Sequence, residues 1–254
     1  MSAKPVLSVV IPVFNEAANI GQVLAEVAEV LSPVASLDVI LVDDGSEDQI
    51  ASLIPDLMAQ YPFARYILHP KRSGKSAALR TGFLAAKGVW VATMDGDGQD
   101  DPRAIADMVQ KVDLTKVGAL GLVAGVRLNR TDGANRKWAS RFANALRQSL
   151  LNDDCPDTAC GLKLVARDLF LAMPFFDALH RYLPAWAKHL GFDTDQVEVK
   201  NRPRASGTSK YSNLGRAVAG FFDLLGVVWL MQRTHVPSRE LILRSRSLPS
   251  PDQT

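Results

Sequence analysis

Apolar and polar positions along the chain form a repeating alternation. Short β-branched runs, VLSVVI (6–11), LDVILV (37–42), ARYILH (64–69), VWVATM (89–94) and ALGLVAG (119–125), are separated by segments of helical period. Between the first two runs, Ile20, Val23, Leu24, Val27, Val30 and Leu31 share one helical face. The runs lack the strict alternation of a strand with one wet face, so both faces are expected to be covered. That predicts an α/β fold, a mostly parallel sheet between helices. Ligands of such sheets bind beyond the carboxyl ends of the strands. The polar clusters PVFNE, DDGSED and DGDGQDD follow the first, second and fourth runs and should share that rim.

After residue 150 the alternation weakens. A turn, NDDCPDTACG, precedes a predicted strand LKLV (162–165); helical stretches run to Leu190, followed by a short strand QVEVK (196–200) and a helix over 212–233. The Ser/Pro-rich end reads as disordered. The expected organisation is a catalytic domain over 1–210, an apolar helix over 211–235 and a disordered tail over 236–254.

With 254 residues and 47% hydrophobic content the chain can bury a large core. Its 29 basic and 27 acidic residues leave a net charge of +2, so no global field argues for a nucleic-acid partner. Cys155 and Cys160, without nearby His or Cys companions, are too few for structural zinc and read as reduced cytosolic thiols. The run after Lys4 ends in a Pro-Val-Phe-Asn turn, which suits a first strand better than a signal peptide. No segment approaches the roughly 20 apolar residues of a membrane span; the longest, Ala217 to Met231, is interrupted by Asp223.

The acidic stretch MDGDGQDDP changes the picture most. Asp95 and Asp97 flank Gly96 and are followed by Gly98 and Gln99, so two carboxylates and an amide oxygen can turn towards one point without Cβ obstruction. Hard oxygen donors of this kind suit Mg²⁺ or Mn²⁺. An EF-hand is excluded, because its sixth and twelfth positions hold Asp100 and Ala106. Asp43-Asp44-Gly45-Ser46 reads either as a helix cap, with Ser46 starting the next helix, or as a second group of carboxylates on the same rim. RSGKS (72–76) imitates the end of a P-loop, but His69 stands where its first glycine belongs. The helix beginning there offers either an anion site assisted by Lys75 or a solvated cap.

Taken in order, VVIPVFNE, VILVDDGSED, SGKSAALRTGF, MDGDGQDDP and RASGTSKY resemble the family 2 glycosyltransferases, over about residues 6–235. More narrowly, the chain is similar to their dolichol-phosphate mannose synthase branch and its bacterial polyprenyl-phosphate relatives. The resemblance implies the GT-A nucleotide-sugar fold and a D-x-D motif that holds a divalent metal on the donor diphosphate. It implies Asp97 and Gln99 as metal ligands, with Asp95 ligating or orienting the donor. Pro12, Phe14, Asn15 and Glu16 match the first nucleotide-contacting loop, and Asp43 or Asp44 the carboxylate near the base; Lys75 and Gly96 complete the expected donor site. Arg127, Arg136 and Ser140 match the cradle of the acceptor phosphate, and Arg204 with Lys210 the pair reaching the donor diphosphate.

What the resemblance implies is an inverting transfer of a hexose-type sugar from GDP-mannose or a UDP-sugar to a polyprenyl phosphate. A phosphate monoester, with a second pKa near ~6, is already an oxyanion at pH 7 and needs no base. A hydroxyl acceptor in cell-envelope polysaccharide or lipopolysaccharide is the alternative; its base would come from Asp153, Asp154 or Asp157. A catalytically silent nucleotide-sugar-binding partner is a third reading. The processive signature Q-x-x-R-W is absent; WLMQR (229–233) has its residue types in the wrong order.

A lipid acceptor requires access to a bilayer. Residues 211–233 carry Phe221, Phe222, Leu225 and Trp229 between basic ends, which suits an interfacial helix; packing on the core or on a second subunit would use the same residues. The expected place is peripheral, on the cytoplasmic face of the inner membrane, with the surface itself or a membrane partner protein as anchor in place of the C-terminal hairpin of many relatives. FDALHRYLPAWAKHLGF (176–192) resembles the segment bordering the acceptor in bacterial relatives, where His180, Tyr182 and Trp186 either contact substrate or pack the helix.

Overall fold

The computed structural model describes residues 4–127, 147–200, 202, 213–235 and 239–244, with the backbone alone for 213–219. The predicted alternation is realised as β1 (Val6–Val13), α1 (Ile20–Leu31), β2 (Ser36–Asp43), α2 (Ile50–Gln60), β3 (Ala64–Leu68), α3 (Lys75–Ala85), β4 (Trp90–Thr93), α4 (Arg103–Val109) and β5 (Leu120–Arg127). Then come β6 (Lys163–Ala166), α5 (Arg167–Ala172), a 3-10 turn (Leu179–Arg181), α6 (Leu183–His189), β7 (Asp193–Val199), α7 (Asn213–Arg233) and α8 (Arg239–Arg244). Among the described residues the seven strands make one sheet in the order β3-β2-β1-β4-β6-β5-β7. It is parallel except at β6, which runs against both β4 and β5.

The runs that form β1, β2 and β4 are buried on both faces, as their composition requires, while β3 at the sheet's edge is only partly covered. Val9, Val10, Ile11, Val39, Ile40, Leu41 and Val42 are all inaccessible to solvent. Because β1, β2, β3, β4, β5 and β7 are co-directional, their carboxyl ends open on one rim. The reversed β6 sends its amino end, with Gly161 and Lys163, to that same rim.

The opposite rim is closed by a buried polar knot that the sequence pattern gives no hint of. Asp38 accepts from Ser8 Oγ at 2.7 Å, from Arg65 Nη2 at 2.7 Å and from the amide of Lys87 at 3.0 Å. The Ser8 hydroxyl also receives the Gly88 amide at 2.8 Å. Asp38→Ala removes the acceptor shared by the buried Ser8 hydroxyl and the partly exposed Arg65 guanidinium and is expected to cost about 3 kcal/mol. For a chain of this size that is a fall in Tm on the order of 10 °C in calorimetry; an unchanged Tm would remove the knot from the account of stability.

Two expectations need correction. Ser46 does not start a helix: α2 begins at Ile50, because the Ser46 hydroxyl receives the Asn15 amide at 2.9 Å and ties two rim loops together. Within the span expected to be disordered, Arg239–Arg244 form α8. Its Ile242 is 5% exposed, so an apolar triplet there overrides the polar context. Cys155 and Cys160 are free and buried.

Candidate active site

The rim holds a cleft of about 220 Å³ between the β1, β2 and β4 loops and the start of α3. Pro12, Phe14 and Glu16 line it from the β1 loop, Asp44 from the β2 loop, Arg72 and Lys75 from the approach to α3 and its first residue, and Asp95, Gly96 and Asp97 from the β4 loop. Three separate polar clusters of the sequence are thus brought to one cavity.

The acidic turn is held from several sides. Lys75 Nζ donates to Asp95 Oδ1 in a close ion pair. Burial pulls the Lys75 pKa down, but Asp95, with Asp100 and Asp97 behind it, outweighs this and holds it above the ordinary lysine value. The same contact overcomes burial to keep Asp95 below the usual carboxylate range. Asp100 receives the Asp95 amide at 2.8 Å; burial and the Asp95 charge push its pKa up to about 7. The Gln99 amide nitrogen donates to the Arg202 carbonyl at 3.3 Å.

Gly96 has to be glycine: a Cβ there would stand 2.8 Å from Val13 Cγ1. Gly161 supports the turn from behind. A Cβ at that position would come within 2.7 Å of Asp100 Oδ2 and 2.9 Å of Asp95 Cγ. Gly161→Ala therefore should displace both carboxylates without unfolding the sheet. A displacement approaching 1 Å predicts roughly 100-fold lower turnover at nearly unchanged Tm; full activity in the variant would show that the turn tolerates movement.

Hydrogen bonds distinguish Asp43 from Asp44 and engage the amides that precede α3. Asp43 is buried away from the cleft, receiving Tyr66 O–H at 2.5 Å and the Ser46 amide at 2.8 Å. Asp44 lines the cleft and accepts from the amides of Ser73 at 2.8 Å and Gly74 at 2.7 Å. The anion at the start of α3 is thus the protein's own carboxylate. Asn15 does not line the cleft; its Oδ1 receives the Glu47 amide at 2.8 Å, and its φ of 59° marks a tight turn.

On the β5 side, Arg127 grips Asp157 with Nε at 2.7 Å and Nη2 at 2.9 Å. That fork raises the arginine pKa further and commits Asp157, so a base role for Asp157 would first require breaking it. Asp153 is fully buried in an ion pair with Arg147 at 2.8 Å, and Asp154 meets Lys188. Tyr182 and Trp186 are core residues, 6% and 0% exposed, so helix packing explains them; His180 faces a second cavity. Arg136, Ser140, Arg204 and Lys210 lie outside the described residues.

Sequence reasoning passed over Arg72, Gly161 and Arg202. Arg72 stacks over the Phe14 ring at 4.2 Å. Arg202 pairs with Asp101 at 2.8 Å and Glu26 at 2.6 Å, which holds this residue beside the acidic turn. Only its place in the basic stretch NRPRASGTSK hinted at it.

A family model described as glycosyl transferase family 2 matches residues 8–172. The dodecaprenyl-phosphate galacturonate synthase of Rhizobium johnstonii is 32% identical over 231 residues, 89% of this chain and 67% of that protein. The undecaprenyl-phosphate 4-deoxy-4-formamido-L-arabinose transferase of Pseudomonas fluorescens is 34% identical, over 86% of this chain and 63% of that protein. The chain thus spans about two thirds of the length of these relatives. In fold, it is similar to glucosyl-3-phosphoglycerate synthase from Mycobacterium tuberculosis in complex with Mn²⁺, UDP-glucose and phosphoglyceric acid. That likeness has a TM-score of 0.67 at 20% identity, covering 93% of this chain and 81% of that one. The same enzyme has been solved with Mg²⁺ and UDP, at a TM-score of 0.66.

Proposed function

The chain belongs to glycosyl transferase family 2, and from that premise we propose a metal-dependent inverting transferase that moves a hexose-type sugar from GDP-mannose or a UDP-sugar to a polyprenyl phosphate. The observation that carries the reading is one rim cleft lined by the acidic turn Asp95-Gly96-Asp97 together with Arg72 and with Lys75, which is ion-paired to Asp95. The two sequence relatives, both named for polyprenyl-phosphate sugar chemistry, support the acceptor class.

Among the described residues no three His, Cys, Asp or Glu side chains are grouped to hold a metal alone. The carboxylates of Asp95 and Asp97 and the side-chain oxygen of Gln99 are hard donors of the kind that suits a cation completing its shell with water and substrate phosphate. Asp97 and Gln99 would hold it, with Asp95 shared between the ion and Lys75; when bound, Mg²⁺ or Mn²⁺ supplies Lewis-acid stabilisation of the departing diphosphate. Lys75, with Arg204 and Lys210 proposed to join it, offsets the charge that collects on the leaving phosphates. Arg127, with Arg136 and Ser140, receives the acceptor phosphate. Phe14 and Arg72 border the entrance where the nucleoside would lie.

The attacking phosphate oxygen carries its own negative charge, so no side chain has to remove a proton. The engagement of Asp153 and Asp157 by arginines, and of Asp154 by Lys188, favours this acceptor over a hydroxyl, which would need one of the three as a base. Helix α7 leaves Phe221, Phe222, Leu225 and Trp229 exposed, with Arg233 lying over the Trp229 ring at 5.7 Å. No helix among the described residues is long and apolar enough to cross a membrane. We therefore assign α7 to lie in the interface at the cytoplasmic face of the inner membrane, its aromatic face against lipid.

The test is incubation with radiolabelled nucleotide sugars, Mn²⁺ and polyprenyl phosphate. Label entering the organic phase only with metal and lipid phosphate supports the reading. Label passing solely to a hydroxyl acceptor replaces it.

A further inference from the structure

Beside the donor cleft lies a second cavity, of about 310 Å³, which shares Gly74 and Lys75 with it. Its far wall carries Asp177, His180 and Arg181 from the turn before α6, and Asp223 from α7. Its volume falls within the range of small-molecule pockets, and no large apolar side chain lines it. A polyhydroxylated ring would find both kinds of partner it needs, carboxylates to accept and a guanidinium to donate.

The polar groups are also uncommitted. Among the described residues the side chains of Asp177, Arg181 and Asp223 make no hydrogen bond or ion pair with one another or with a neighbour. His180 Nδ1 sits 2.9 Å from Ser76 Oγ, which fixes the ring and leaves Nε2 for a further partner. Burial, reinforced by Lys75 and Lys163, pushes the His180 pKa down to about 3, so the imidazole is neutral at physiological pH. Lys75 stands at the junction of the two cavities, where a diphosphate in the first would meet whatever occupies the second.

We propose that the second cavity receives the glycosyl group of the donor, and that Asp177, His180, Arg181 and Asp223 select which sugar is transferred by hydrogen-bonding its hydroxyls or its carboxylate. The inference rests on the nucleotide-sugar reading above and deepens it. One wall of the pocket belongs to α7, so sugar selection depends on how that helix is seated.

The experiment is calorimetric titration of wild type, Asp223→Asn and Arg181→Gln, each with Mn²⁺, against UDP, GDP, UDP-glucose, UDP-glucuronate and GDP-mannose. Both substitutions lie on partly exposed positions, and matching circular dichroism melts establish that the fold is kept. The quantity read is the ratio of Kd for the preferred nucleotide sugar to Kd for its bare diphosphate. Loss of a charge-assisted hydrogen bond predicts roughly a tenfold rise in that ratio, with the diphosphate Kd unchanged. An unchanged ratio in both variants, or equal weakening of sugar nucleotide and diphosphate, overturns the pocket assignment while leaving the donor cleft in place. If wild type bound no nucleotide at all, the pocket and the function beneath it would fall together.

Discussion

Replacing Asp97 by alanine is expected to abolish sugar transfer, with a loss of at least roughly 10³-fold, while the protein melts where wild type does. Asp97 lines the cleft and belongs to an acidic turn that also carries Asp95 and Gln99. Its removal takes a charge from the point where a leaving diphosphate must be stabilised and takes nothing from the core. Two measurements check it: label recovered in the lipid phase, and Mn²⁺ binding in the presence of UDP. Retained transfer with unaltered Mn²⁺ binding would place the metal elsewhere and undo the assignment of the turn.

The second large effect has opposite signs in two measurements. Lys75 is the cation paired to Asp95, in a turn that also holds Asp97 and Asp100. Lys75→Met leaves Asp95 without that partner, so Mn²⁺ titrated without nucleotide should bind more tightly, since no ammonium competes for the carboxylate. Turnover should nevertheless fall about 100-fold, because the same ammonium is needed to offset charge developing on the diphosphate. A purely structural role would weaken metal binding and turnover together, and Lys75→Arg would then rescue neither. Should the variant lose metal binding along with activity, the competition between lysine and ion is wrong.

The sheet was legible because its information is local. A run such as VILV buried on both faces, followed at once by DD or DGD, states both the strand and where it stops. The orientation of β6 was not, since LKLV reads the same as a parallel or an antiparallel strand; only pairing with Trp90–Thr93 and Leu122–Ala124 decides it. The acidic turn could be found from glycine spacing and carboxylates alone. Its supports could not: Gly161 reaches Asp95 from 66 positions later, and the Arg127–Asp157 fork joins residues 30 apart. Asp44 presented the same difficulty in another form. An aspartate before glycine suits a turn, a cap or a ligand equally, and nothing in the local sequence announces that Asp44 accepts from the amides of Ser73 and Gly74. Tyr182 and Trp186 look like candidates for stacking on a sugar, yet a helix spacing that also suits the core placed them there.

The pairing of β7 with β5 has a practical corollary for anyone wishing to isolate the family-matched region. A chain shortened to residues 8–172 would strip away the neighbour that covers Leu120–Arg127 and leave a long, apolar strand with unanswered amides along one side. It would also lose Arg202, the counter-charge to Glu26 and Asp101. Such a fragment would self-associate through its open border instead of behaving as a minimal catalyst.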